Sequence, residues 1–195
     1  MPLYHIFRFI LILLFKIIFG LEVIGVENIP RRVGFILASN HLSNLDPLIL
    51  GVACIRELNF MAKEDLFRNS FFSSLLDNVG AFPVRRDYVD VSAIKEAISR
   101  LKSGAVVLVF PEGTRGRSED QLQVQLGVAL LANKANCPIL PAFITGADKA
   151  MPRGSKFIKP TKITVRFGRL LSFDKNQTYE QIANKVGDEI ISLKV

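Results

Sequence analysis

The run AVVLVF (105–110) is the stretch on which the fold turns. It is β-branched, carries no polar residue, and stops at the polar loop PEGTRGRSED (111–120). A strand without polar alternation has no wet face, so both of its faces must be covered. On its N-terminal side, DVSAIKEAISRLKSG (90–104) places Val91, Ile94, Ile98 and Leu101 on one helical face and ends in Gly104. That is the pattern of an amphipathic helix closed by a glycine. On its C-terminal side, QLQVQLGVALLANKAN (121–136) predicts another helix. A buried strand between two helices is the unit of an α/β sheet.

The same alternation continues on either side of this unit. GFILASN (34–40), LNFMAK (58–63), GAFPVRR (80–86) and CPILPAFITG (137–146) predict short strands or extended segments. LEVIGVENIP (21–30) and TKITVRFGRLLSF (161–173) predict two more. PLILGVACI (47–55) predicts a helix with Asp46 at its N-cap and Pro47 as its first residue. RNSFFSSLLDNV (68–79) and YEQIANKVGDEIISLKV (179–195) predict further helices. The expected fold class is α/β: a mixed, largely parallel central sheet flanked by helices on both faces, preceded by an N-terminal membrane-associated amphipathic helix. No internal repeat, low-complexity segment or second globular domain interrupts the pattern. TGADKAMPRGSKFIKP (145–160) is the one long irregular connection, and it is basic. It reads either as a solvated surface loop or as a grip on a donor or a bilayer.

The first twenty residues, MPLYHIFRFILILLFKIIFG, are the most apolar part of the chain. No small-residue cleavage site follows them, and Lys16 interrupts them, which disfavours a signal peptide. The longest uncharged stretch, Phe9 to Phe15, falls well short of the roughly 20 residues a spanning helix needs. His5, Arg8 and Lys16 fall on one narrow helical stripe. The expectation is a helix lying in one leaflet with its cations reaching lipid phosphates. Residues 1–20 are therefore expected to anchor the chain and 21–195 to form the working domain.

Composition narrows the function. Lys and Arg exceed Asp and Glu by 25 to 18, giving a formal charge of +7. Such a balance favours anionic partners, whether nucleic acid, a phosphorylated substrate or an anionic lipid face. The absence of Trp, the three Tyr and the lack of an aromatic RNA-binding motif argue against nucleic acid. Cys54 and Cys137, each in an apolar segment, cannot form a disulfide framework or a metal knuckle. They read as small buried thiols. With only His5 and His41 available, no metal site is expected.

Polar clusters stand where strands end, the place where α/β sheets gather ligands. In NHLSNLD (40–46), His41 and Asp46 are five residues apart across a strand end and a helix start. A carboxylate accepting from Nδ1 would fix the imidazole and leave Nε2 free to take a proton from a substrate hydroxyl. The plain alternative is that Asp46 only caps its helix. In FPEGTRGR (110–117), Gly113 permits a tight turn, Thr114 adds a hydroxyl, and Arg115 and Arg117 suit a phosphate. Glu112 at the end of a buried strand calls for a partner. Arg85, Arg86 and Lys63 add cations.

These motifs together carry a resemblance. NHLSNLD fits an Asn-His-x-x-x-x-Asp pattern, and MAKEDLF (61–67), GAFPVRR (80–86), FPEGTR (110–115) and CPILPAFI (137–144) follow in order. The chain resembles the 1-acyl-sn-glycerol-3-phosphate (lysophosphatidic acid) acyltransferase family over residues 38–144. Asp87, Gly116 and Ala142 depart from the usual residues there without removing a catalytic group. The resemblance implies transfer of a fatty acyl group from acyl-carrier protein or acyl-CoA to the sn-2 hydroxyl of lysophosphatidic acid, with no metal, no cofactor and no acyl-enzyme. It implies that His41 is the general base and Asp46 its orienter. Lys63, Arg86, Glu112, Gly113, Thr114 and Arg115 would bind the acceptor, and Pro141 would shape the acyl region. Asn40 is a further expectation, as oxyanion support. The expected setting is a phospholipid surface at the cytoplasmic face of the membrane, peripheral or monotopic. Acylation of another acceptor, such as glycerol-3-phosphate or a different lysolipid, and a non-catalytic lipid-binding module remain as alternatives.

Overall fold

The computed structural model describes residues 2–68, 73, 80–85, 90–113, 124–155, 157–174 and 176–194; for residues 2–9 it describes the backbone. Seven strands form one sheet: β1 (Glu22–Ile24), β2 (Phe35–Ser39), β3 (Leu58–Lys63), β4 (Ala81–Val84), β5 (Val106–Val109), β6 (Ile139–Thr145) and β7 (Thr164–Phe167), in the spatial order β1-β7-β6-β2-β5-β3-β4. β6, β2, β5, β3 and β4 are mutually parallel. β7 runs antiparallel to β6, and β1 pairs parallel with β7. The mixed, largely parallel sheet expected from the sequence is the one observed.

The helices are α1 (Pro2–Phe19), α2 (Asp46–Ala53), α3 (Val91–Lys102), α4 (Gly127–Ala135), α5 (Ala147–Ala150) and α6 (Tyr179–Ser192). β2 shows why they cover both faces. Phe35 and Leu37 join one core cluster with Phe15 and Phe19 of α1 and Ile49 of α2. Ile36 and Ala38 join the other, with Ala97 of α3, Val128 of α4 and Val186 of α6. Every residue of β2 is buried, so period-2 alternation distributes an unbroken apolar run between two helical layers.

α1 is apolar on both sides. Phe15 and Phe19 are buried, with Leu11 and Ile12 packed beside them. Ile10, Leu13, Leu14, Ile17 and Ile18 are exposed, at the helical spacing of a single stripe. Of the cationic stripe expected on this helix, only Lys16 has a described side chain, and it is exposed. Among the described residues, no helix is long and apolar enough to cross a membrane.

Several expected boundaries shift for local reasons. The strand expected over 21–30 stops at Ile24 and gives way to a 3-10 turn, Val26–Asn28. Gly25 lies between them at φ +78°, where a Cβ would stand 2.2 Å from the Phe167 carbonyl oxygen. Gly25→Ala combines backbone strain with a clash against main chain, and we expect it to cost about 2–4 kcal/mol in urea denaturation. The strand expected over 161–173 ends at Phe167: Gly168 N still donates to Pro141 O at 2.8 Å in the β6–β7 register, but Pro141 has no N–H to return, and pairing resumes only at Leu171, bridged to Ile139. The helix expected from 121 begins at Gly127, with 121–123 outside the described residues. The helix expected over 68–79 also lies largely outside them.

Candidate active site

The parallel strands all end at one edge of the sheet, and that edge collects the polar clusters. β2 delivers Asn40 and His41, β3 delivers Lys63, and β5 delivers Phe110 to Gly113. His41 Nδ1 lies 2.8 Å from Asp46 Oδ2. The same carboxylate oxygen accepts from Leu42 N and Ser43 N, each at 2.7 Å. Asp46 is 1% exposed, so its charge is held by these donors in place of water. An oxygen already accepting backbone N–H groups is an acceptor for the ring as well. Nδ1 therefore carries the hydrogen, and Nε2 is the basic nitrogen.

This arrangement corrects one expectation. Asp46 does not cap α2: the N-cap is Leu45, without a side-chain bond, and Asp46 is the first helical residue. Its carboxylate reaches back over the turn toward His41 instead of forward to the free N–H groups of the helix. Pro47, which has no N–H to satisfy, follows it in the first turn.

Two further contacts fix the imidazole. Its ring stacks on Phe110, with centroids 3.9 Å apart and planes 16° from parallel. Its main-chain N–H donates to Glu112 Oε1 at 3.0 Å. Burial pushes the Glu112 carboxyl above its ordinary value, against the pull of this bond and of the nearby imidazole. Glu112 thus has the partner that its position at the end of a buried strand demanded. Gly113, at φ +71°, closes the turn through its N–H to Phe110 O at 3.0 Å. A Cβ there would meet the Gln125 side chain at 3.0 Å.

Asn40 has a different task from the one expected. Its Nδ2 donates to Ile144 O at 2.9 Å, and Ile144 N donates to its Oδ1 at 2.7 Å. The side chain is 3% exposed, and its amide clamps the end of β2 to the end of β6. Asn40→Ala would strip both main-chain groups of Ile144 of their partners. We expect a loss of about 2–4 kcal/mol, read from the shift of the denaturation midpoint.

Among the described residues, a cavity of about 590 Å³ opens beside His41. Phe60, Leu66, Val84, Leu108 and Phe110 make most of its wall apolar, and Lys63 and Gly113 also line it. Lys63 is ion-paired with Asp65, whose carboxyl it holds below its ordinary value. Pro141 is not at this cavity. It is buried within β6, opposite Ala38 of β2. Ile139 exchanges both main-chain bonds with Leu171, so the backbone side that Pro141 shares with it faces the break after Phe167. The missing proline N–H falls there, which is how a proline is tolerated in an interior strand. The acyl-shaping role expected of it has no support in this position.

Arg86, Thr114 and Arg115 lie outside the described residues. Beside Arg86, Arg85 Nε donates to Glu64 Oε2 at 2.9 Å, and Arg85 N donates to Asp90 Oδ2 at 3.0 Å. Phe110 was not among the residues expected to act. Its only signal in the sequence is its place immediately before PEG. Cys54 is fully buried, and burial pushes the half-buried Cys137 thiol up to about 11. Among the described residues, no group of His, Cys, Asp and Glu could hold a metal ion.

Comparisons with known proteins bear on the same residues. A family model described as Acyltransferase matches residues 20–145, a span holding every group just named at the cavity. The 1-acyl-sn-glycerol-3-phosphate acyltransferase of Bacillus subtilis is 35% identical over 153 residues, covering 78% of this chain and 74% of that protein. The enzyme of the same name from Borreliella burgdorferi is 28% identical over 178 residues, covering 88% of this chain and 71% of its own. The crystal structure of the 1-acyl-sn-glycerophosphate (LPA) acyltransferase from Thermotoga maritima superposes with a TM-score of 0.78 at 28% identity, covering 88% of this chain and 69% of that one. In sequence, fold and motif order alike, the chain belongs to the acyltransferase family that contains the 1-acyl-sn-glycerol-3-phosphate acyltransferases.

Proposed function

We propose that the protein transfers a fatty acyl group from a thioester, acyl-carrier protein or acyl-CoA, to the sn-2 hydroxyl of lysophosphatidic acid, giving phosphatidic acid. The observation that carries this reading is the His41–Asp46 bond of 2.8 Å at the wall of an apolar cavity. His41 Nε2 takes the hydroxyl proton as the oxygen attacks the thioester carbonyl. Asp46 stabilises the imidazolium that forms. The tetrahedral intermediate collapses with the thiolate as leaving group, and the imidazolium returns a proton to it. No protein nucleophile is needed, and neither cysteine is placed to supply one.

The acyl chain is assigned to the cavity, whose wall is largely apolar. The acceptor phosphate is assigned to the loop that opens with Glu112 and Gly113 and continues to Thr114 and Arg115, with Arg86 and Lys63 assisting. Family membership and the two arginines of that loop, Arg115 and Arg117, support this. Residues 1–20 are assigned as a monotopic anchor at the cytoplasmic face of the membrane. The exposed stripe of Ile10, Leu13, Leu14, Ile17 and Ile18 supports that assignment.

The test is direct. Purified full-length protein is given labelled acyl donor and lysophosphatidic acid, and phosphatidic acid is measured. Carrier protein and coenzyme A thioesters are compared in parallel. Absence of product with either donor sinks the reading. Product with glycerol-3-phosphate alone moves the acceptor but keeps the chemistry.

A further inference from the structure

We propose that residues 151–155 and 157–160, with Phe157 and Ile158 exposed, form a second membrane-contact element that docks the active-site edge of the sheet onto an anionic lipid surface. The proposal rests on the reading of this protein as an enzyme of a lipid acceptor, and it adds a contact separate from α1.

Phe157 is 80% exposed and Ile158 53%. An aromatic ring so exposed on a frayed loop would mean little, but this loop is tied. Ser155 N donates to Pro152 O at 2.9 Å, and Lys159 N donates to Ala150 O at 2.8 Å, closing the base. Ser155 Oγ donates to Phe157 O at 2.9 Å and accepts from Phe157 N at 3.1 Å, fixing Phe157. The ring is held out by a bonded turn. Exposed apolar side chains on a fixed turn suit insertion among lipid headgroups.

Position and charge indicate what it meets. The base of the turn is buried with the α1 side of the sheet through Ala147 and Ala150. Ser43 Oγ donates to Met151 O at 2.9 Å, so the turn starts against the loop that carries His41. Its return leg meets the end of α1, where Ile163 N donates to Phe19 O at 2.9 Å. No Asp or Glu occurs between Asp148 and Asp174. Lys149, Arg153 and Lys159 are exposed, and among the described residues none is ion-paired. Exposed apolar residues in a segment that also carries these exposed cations complement anionic headgroups over an acyl layer. A helix lying in one leaflet leaves the domain free to roll about the helix axis. A second contact at the sheet edge removes that freedom and sets the direction in which the cavity faces.

The experiment compares wild type with the Phe157→Ser/Ile158→Ser and Arg153→Glu/Lys159→Glu double variants, all full length. Each is sedimented with phosphatidylcholine vesicles with and without phosphatidylglycerol. Each is also assayed on a short-chain, vesicle-free lysophosphatidic acid. The apolar variant should partition about tenfold more weakly into either vesicle. The charge variant should weaken only on the anionic ones, and vesicle-free turnover should stay at the wild-type level in both. Wild-type partitioning by both variants overturns the proposal. So does unchanged partitioning with a raised KM for acyl-carrier protein thioester, which would make the turn a carrier-docking site. Failure of wild type to turn over the vesicle-free substrate, with binding still dependent on Phe157, would sink the acyltransferase reading and leave the membrane contact standing.

Discussion

His41→Ala is expected to lower acyl transfer by about a thousandfold or more while leaving the protein folded. The ring is 15% exposed and faces the cavity, so its loss enlarges a space that is already open. What it removes is the base. An alcohol is a weak nucleophile at neutral pH, and a positioned imidazole contributes about 10²–10⁴ in rate by taking its proton. Here the ring is restrained at three places: its edge by Asp46, its face by Phe110 and its main chain by Glu112. Catalysis by a base so held depends on orientation as well as basicity. The loss should fall on kcat, with the KM for acceptor little changed, because the proton moves after binding. Initial rates of phosphatidic acid formation and the thermal midpoint together check this. Undiminished turnover by His41→Ala sinks the mechanism, and a collapsed midpoint would make the ring structural.

Residues whose partners are near in sequence were legible without a structure. His41 and Asp46 meet across one turn: their spacing offered the pair beside a plain helix cap, and the motif blocks that follow in order favoured the pair. The strands were legible where they are fully buried. AVVLVF and GFILASN became β5 and β2 with each end shifted by one residue, because a short unbroken apolar run fits a strand covered on both faces in an α/β chain. DVSAIKEAISRLKSG became α3 through its 3.6-residue period.

Long-range partners were the hidden part. Asn40 was assigned to an oxyanion because nothing local says that its amide will meet Ile144, 104 residues later. Pro141 sits in a motif block, yet its place within β6 depends on how β7 breaks after Phe167. That break is a register effect, which periodicity does not carry. Glu112 was assigned to the acceptor, and its bond to His41 N spans 71 residues. The reversed strands β7 and β1 follow the same logic, since β7 is set by antiparallel pairing with β6 and β1 by parallel pairing with β7.

Asp46 decides whether the turn is a catalytic device or only a well-made turn, and two substitutions separate the cases. Asp46→Ala leaves Leu42 N–H and Ser43 N–H without their acceptor in a buried turn. At about 1–3 kcal/mol for each of the two orphaned groups, a loss of about 2–6 kcal/mol in denaturation is expected. Asp46→Asn is the sharper experiment. An amide oxygen placed where Oδ2 stands can still accept from both N–H groups and from Nδ1, so the turn and the ring keep their geometry. Its new NH₂ takes the place of Oδ1, which is buried and has no hydrogen-bond partner among the described residues. That position leaves the amide donors unmet, so a modest loss of stability is expected there too. The carboxylate charge is gone, and with it the stabilisation of the imidazolium that forms as the hydroxyl is deprotonated. The rate per folded molecule should fall by about a hundredfold or more. A purely structural aspartate predicts the reverse pattern, reduced stability with normal turnover by the molecules that remain folded. Full wild-type turnover by Asp46→Asn would leave His41 acting without its partner and would remove the dyad from the mechanism.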